Sequence, residues 1–349
     1  MKQRIGIVGI GSISSIYLKN LTSIFAGNVQ VTALADPNAD TLQKVAEEFS
    51  VPSFPTAQAL IASPEVDIVL NLTPPKAHFQ IALDAVKAGK HIYNEKPLCI
   101  TRLEAEELLK HAAEHKVRVG CAPDTFLGAG IQTAGKVIKD GWIGRPLAAT
   151  ACMMNAGPES WHPKPEFFYK NGGGPLFDVG PYYLTALVTM LGPVLRVSGA
   201  ESMPFKSRTI KSMPRRGATI AVEVPTHSAA MLEFAGGLIA TMVMSFDVPY
   251  HSMPRLEIYG SEGTLRVPDP NTFGGPLLLR RADSWVEMPL IGEFTSDSRG
   301  LGISEMAEAI NEGRPHRASG KLAYHVLDIM HGIHEAASSG RYYKVKKSK

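Results

Sequence analysis

The sequence is poor in cysteine, in unbroken apolar runs and in net charge. Cys99, Cys121 and Cys152 are its only cysteines in 349 residues. They are too few and too far apart for a disulfide framework, a redox pair or a zinc knuckle. They read as buried thiols of a reducing compartment. No His, Cys or carboxylate cluster has the spacing of a metal site, so no metal is expected. No apolar run reaches the roughly 18 residues of a membrane span. The chain opens on a strand rather than a secretory leader, so the cytoplasm is the expected location. Lys and Arg number 36 against 33 Asp and Glu, a net charge of +3. That excludes a general attraction to nucleic acid or to an anionic membrane. The basic tail, Lys344 to Lys349, is short and reads as a solvated terminus.

What is present is apolar content of 44% against 20% charged residues, enough for sizeable cores. The length calls for two domains. Arg4 to Val8, Val29 to Ala35, Asp67 to Leu72, His91 to Asn94 and Val117 to Cys121 read as short apolar strands. Helical patterns alternate with them, including one from Pro37 and Asn38 to Phe49 and one capped by Thr101-Arg-Leu-Glu104. Alternating β and α predicts a doubly wound parallel sheet, the Rossmann arrangement, over residues 1–122. Beyond Pro123 the expected elements are a helix at Ile131 to Lys139, a strand at Pro146 to Met154 and a loop at Ala156 to Gly174. A helical pattern then covers Pro175 to Leu191. Strands follow at Val222 to Phe234, Leu238 to Phe246, Arg255 to Tyr259 and Thr264 to Val267, with a hairpin at Gly236-Gly237. Helices near Ile303 to Asn311 and Leu322 to Ala337 close the chain. Residues 123–349 are thus expected to form an α+β domain with a large open, mostly antiparallel sheet.

Gly9, Gly11 and Ser14 fall where the first strand turns into a helix. Gly9 permits the tight turn, and Gly11 leaves room for a pyrophosphate to approach the backbone. The helix start, with Ser12 and Ile13, offers N–H groups and a positive dipole end. Asp36 ends the second strand, where a carboxylate binds the ribose hydroxyls of NAD. It would repel a 2′-phosphate, and no Arg or Lys lies between Asp36 and Lys44 to receive one. NAD is expected over NADP. Further cofactor contacts are expected from Asn71, Thr73 and Pro74 at the end of the Asp67 strand, from His78 in the next helix, and from Glu95 and Lys96 at the end of the fifth strand.

With Glu95-Lys96-Pro97 in that place, the chain resembles the glucose–fructose oxidoreductase / inositol dehydrogenase / rhizopine catabolism (Gfo/Idh/MocA) family. The resemblance rests also on Gly9-Ile10-Gly11, Asp36, Thr73-Pro74-Pro75 with His78, Ala88-Gly89-Lys90-His91 and Gly172 to Gly180. It implies a dehydrogenase or reductase of sugars, cyclitols or related polyols, and a homodimer or homotetramer joined through the C-terminal sheet. It implies that Lys96 is catalytic, with Asp178 beside it. Many members carry histidine four residues after this aspartate; here that position is Tyr182.

Alcohol oxidation needs hydride loss from carbon, which a nicotinamide accepts, and proton loss from oxygen. An unperturbed lysine, with a pKa of about 10.4, is a poor base unless burial or the nicotinamide's positive charge lowers it. Lys96 could feel both and act as general acid/base. Glu95 is expected to orient it. Asp178 is expected to bind a substrate hydroxyl or tune Lys96, and Tyr182 to relay the proton or hold the reacting oxygen. Trp161, His162 and Asn155 are expected in the substrate-binding loop, and Asp124 in the wall of an interdomain cleft. His251 is a weaker candidate. Two rival readings keep the fold: a tightly held NAD used for transient oxidation in a glycosidase- or epimerase-like reaction, and a non-catalytic NAD-sensing regulator.

Overall fold

The computed structural model describes residues 2–346. The last three residues of the basic tail lie outside the described residues. Two compact units are present: residues up to Leu127 together with Asp297–Tyr324, and Gly128–Ser296 together with residues from His325 on.

The first unit runs β1 (Gln3–Val8), α1 (Ser14–Thr22), β2 (Val29–Ala35), α2 (Ala39–Phe49), β3 (Ser53–Phe54), α3 (Ala57–Ala62), β4 (Ile68–Asn71), α4 (Pro75–Lys87), β5 (His91–Asn94), α5 (Arg102–Glu114) and β6 (Val119–Cys121). The six strands form one parallel sheet in the order β3-β2-β1-β4-β5-β6. Strand order reverses between β1 and β4, which is where open sheets of this type bind ligands. β4 is buried at all four positions, as a strand covered on both faces must be. The Thr101 capping box forms as its sequence requires, with reciprocal bonds to Glu104. Asn38 caps α2, its side chain accepting from Thr41 N–H.

The second unit begins with α6 (Ala129–Lys139), β7 (Pro146–Met154), α7 (Gly174–Asp178) and α8 (Gly180–Leu191). Strands follow: β8 (Val194–Ser202), β9 (Ser207–Thr209), β10 (Thr219–Ala221), β11 (His227–Phe234), β12 (Ile239–Ser245), β13 (Leu256–Gly260), β14 (Thr264–Val267), β15 (Leu277–Arg280) and β16 (Val286–Met288). Then come α9 (Leu301–Asn311), which belongs to the first unit, α10 (Gly320–Ser339) and β17 (Tyr343–Lys344). Nine strands form one sheet, β16-β15-β14-β13-β7-β12-β11-β8-β17. Among the described residues of this sheet, only β7 and β12 pair in parallel. β11 and β12 form the hairpin at Gly236-Gly237. The apolar run from Val222 does not continue as one strand: β10 ends at Ala221 and β11 starts at His227, with Pro225 between. Proline cannot donate to a ladder, which explains the break. Along β11 and β12, Ala230, Leu232, Ala240 and Met242 are buried, while Met231, Ile239 and Thr241 are exposed.

The segment Asp297–Tyr324 departs from the domain limits read at 122 and 123. Cys121 N–H donates to Ala318 O. Gly120 and Ser319 form an antiparallel bridge. The Asn20 amide donates to Asp297 O and Arg299 O. These are long-range pairings, and the local sequence carries no sign of them.

Candidate active site

In the first unit, the residues expected at a dinucleotide stand at strand ends. Gly9 follows β1 with φ +97°, a conformation that only glycine adopts readily. A Cβ there would lie 2.8 Å from the Leu72 carbonyl carbon and the Thr73 nitrogen, both backbone atoms beyond β4. Around a Cβ on Gly11, by contrast, nothing lies within 4 Å. The turn is therefore pressed against β4 at Gly9 and open at Gly11. The α1 N-cap, Ile13, makes no side-chain capping bond. Asp36 folds back to the turn, its carboxylate accepting from Ile10 N–H at 2.7 Å and Asn38 N–H at 2.8 Å. An open glycine turn, a helix start and a strand-end carboxylate held beside them fit a dinucleotide.

A second network ties the ends of β4 and β5 together. Asn71 and Asn94 are fully buried, and the Asn71 amide donates to Asn94 Oδ1 and to His78 O. Asn71 Oδ1 accepts from the Thr73 hydroxyl at 2.6 Å. His78 is fully buried, with Nδ1 2.7 Å from Pro97 O and Nε2 2.8 Å from Thr73 O. Burial pushes its pKa down, against the two carbonyls, which favour a doubly protonated ring. His78 thus spans the turn after β4 and the turn carrying Lys96. Glu95 and Lys96 are half-buried, and one Glu95 oxygen accepts from Lys96 N–H at 2.8 Å. The other accepts from the Tyr17 hydroxyl of α1 at 2.9 Å. Tyr17 was legible in the sequence only as an apolar position of its helix.

Asp124 lies just beyond β6. It is 2% exposed, and its carboxylate accepts from Gly300 N–H at 2.9 Å and Gly302 N–H at 3.0 Å. It anchors the returning segment at the start of α9. Burial raises its pKa to about 6, partly opposed by the Gly302 donor and reinforced by the Glu95 charge. A folded pKa above the unfolded one means a stability contribution present at low pH and lost as pH rises through about 6. Asp124→Asn keeps an acceptor for both N–H groups but cannot ionise. Its stability relative to wild type should therefore rise by about 2 kcal/mol between pH 4 and pH 7. Urea unfolding at the two pH values measures this, and a difference of opposite sign contradicts it.

In the second unit, Asn155 follows β7 and accepts from Gly157 N–H at 2.8 Å. The loop beyond carries Trp161, 65% exposed, and a half-buried His162. His162 packs edge-on against Trp161, Phe167 and Phe168. Burial lowers its pKa, partly offset by the Lys164 N–H contact and by the Asp178 charge. Asp178 ends α7 and Tyr182 lies in the first turn of α8, both half-buried. Helix α8 starts at Gly180 with Pro181 in its first turn, where a missing N–H costs nothing. His251 follows β12 in a loop and is half-buried.

A buried cluster that sequence reading missed holds this loop. The Arg208 guanidinium is 2.9 Å from Glu159 and 3.1 Å from Asp247, and donates to Ala156 O at 3.2 Å. The Tyr169 hydroxyl donates to Glu159. Loop residues on both sides of Trp161-His162 are thereby fixed at the ends of β7 and β12.

The comparisons with known proteins agree with this architecture. Residues 3–122 match the model described as "Oxidoreductase family, NAD-binding Rossmann fold". Residues 131–266 match the "GFO/IDH/MocA C-terminal domain". The first unit is thus built on an NAD-binding Rossmann domain of the oxidoreductase class. The chain belongs to the Gfo/Idh/MocA family. Among relatives, it is 25% identical over 339 residues to dTDP-3,4-didehydro-2,6-dideoxy-alpha-D-glucose 3-reductase of Streptomyces antibioticus, covering 94% of this chain and 93% of that one. It is 25% identical over 283 residues to inositol 2-dehydrogenase 3 of Saccharopolyspora erythraea, covering 79% and 76%. An NAD binding oxidoreductase from Klebsiella pneumoniae shares the fold, with a TM-score of 0.86, 20% identity and 99% of each chain covered. Among the described residues no helix is long and apolar enough to cross a membrane.

Proposed function

We propose that this protein is an NAD-dependent oxidoreductase moving a hydride between nicotinamide and a secondary alcohol or carbonyl of a sugar, cyclitol or related polyol. The observation that carries this reading is the position of Lys96. It stands at the carboxyl end of β5, on a turn bound through His78 to the end of β4, whose neighbour β1 ends in the Gly9 turn. Relatives named as a dideoxyglucose 3-reductase and an inositol 2-dehydrogenase support the substrate class.

When bound, NAD supplies the hydride acceptor or donor. The chain's own groups do the rest. Asp36 accepts from the ribose hydroxyls, and its charge disfavours a 2′-phosphate. Thr73, Pro74 and His78 hold the turn beside the dinucleotide. Lys96 takes the hydroxyl proton in oxidation and returns it in reduction. Asp178 and Tyr182 bind the substrate hydroxyls, with Trp161 and His162 covering the sugar ring. Two copies or four assemble through the second unit's sheet, whose exposed Met231 and Ile239 offer an apolar face. The three buried free thiols fit a reducing compartment, and the cytoplasm is the proposed location.

The test is absorbance at the NADH wavelength across sugars, cyclitols and sugar acids, with NAD and NADP in parallel. Turnover with at least about tenfold higher kcat/KM for NAD is expected from the Asp36 charge. Equal or better use of NADP contradicts the role of Asp36. Cofactor binding without turnover on any member of the panel contradicts the dehydrogenase reading.

A further inference from the structure

The Tyr17 hydroxyl is unexplained by packing. The residue is fully buried between α1 and the sheet, where phenylalanine would fill the same volume without a polar atom. A buried hydroxyl without a partner is costly. Here it has one, and the partner is Glu95 Oε1 at 2.9 Å. The second Glu95 oxygen accepts from the Lys96 backbone N–H at 2.8 Å. Glu95 N–H in turn donates to Asn71 O at 2.9 Å, continuing the β4–β5 ladder. Glu95 is therefore fixed at three points: by its backbone to β4, and by its carboxylate to the Lys96 backbone and to the helix that starts at the dinucleotide turn. Tyr17 lies one turn along α1 from Ser14. Burial and the Glu95 charge hold its pKa well above the normal range, so the hydroxyl remains the donor at any working pH.

We infer that Tyr17 is a positioning residue for the proton-transfer step: through Glu95 it fixes the Lys96 backbone relative to the helix that receives the dinucleotide. The inference rests on the reading of Lys96 as acid/base. Small displacements of a catalytic group cost much in rate, so the effect belongs in kcat rather than in cofactor affinity.

Tyr17→Phe in the full-length protein tests it. The expected result is a kcat lowered about tenfold, with KM for NAD within about twofold of wild type. A readout independent of turnover is the pH dependence of Lys96 acylation by trace acetic anhydride in the NAD-loaded protein, followed by peptide mass spectrometry. Its midpoint should shift by about half a pH unit or more in Tyr17→Phe. Glu95→Gln retains one acceptor oxygen in place of two, so the Tyr17→Phe/Glu95→Gln double variant should be no slower than the slower single variant. A wild-type kcat and an unmoved acylation midpoint in Tyr17→Phe would overturn the inference. So would a loss confined to stability and NAD binding, which a purely structural residue would give. If Lys96→Ala instead turned over at the wild-type rate, the acid/base reading would fail, while the acylation midpoints would still decide whether Tyr17 controls Lys96.

Discussion

Lys96→Ala should lower kcat by about a thousandfold while NAD binding stays within about tenfold of wild type. The expectation follows from where the lysine stands. Its backbone is fixed by Glu95, and the Pro97 carbonyl beyond it is fixed by His78. Truncation to Ala leaves those bonds in place, because they involve Lys96 only through its backbone. The fold and the dinucleotide turn should therefore survive, and the loss should fall on the proton-transfer step. Steady-state turnover together with NAD titration by protein fluorescence separates the two effects. A variant turning over within tenfold of wild type would remove Lys96 from the chemistry. A variant that lost NAD binding as well would make the lysine a cofactor ligand first.

Gly9→Ala should destabilise the protein by at least about 2 kcal/mol and weaken NAD binding by at least about a hundredfold. Two independent features demand glycine. The backbone sits at φ +97°, and the added Cβ would meet the Leu72–Thr73 backbone at 2.8 Å. No side-chain rotation relieves a clash with backbone, so β1 and β4 would have to part at the point where the sheet order reverses. Gly11→Ala is the informative control. Its added methyl would meet nothing within 4 Å in the protein. It should fold with near wild-type stability and lose affinity only where the dinucleotide needs the space. Urea unfolding and NAD titration on both variants test the pair; equal stability losses contradict the distinction.

Much of the first unit was legible because its rules are local. Short apolar runs marked the strands at Val29–Ala35 and His91–Asn94, and Thr101 with Glu104 marked a helix start. The short β3 and α3 were missed, since two and six residues carry too little periodicity. Asp36 was placed by its distance from the glycine turn, although its bond to Ile10 N–H could not be foreseen. The partners of Asp124 were not legible, for a physical reason. No local pattern announces that a segment more than 170 residues away supplies this carboxylate with two N–H donors. Tyr17 and Arg208 were invisible for a related reason. A tyrosine on an apolar helix face reads as core, and an arginine in a polar stretch reads as surface. Only the fold shows the carboxylates that meet them.

The most direct measurement is isotopic. Carbon-deuterated sugars and cyclitols would be incubated with the protein and NAD, and the recovered nicotinamide examined by mass spectrometry. Net oxidation of a secondary alcohol moves the deuterium from carbon to the cofactor. Reduced nicotinamide one mass unit heavier, formed by the wild type and about a thousandfold more slowly by Lys96→Ala, is the expected result. Bound cofactor that never acquires deuterium, while the sugar is rearranged or cleaved or left untouched, would contradict net hydride transfer.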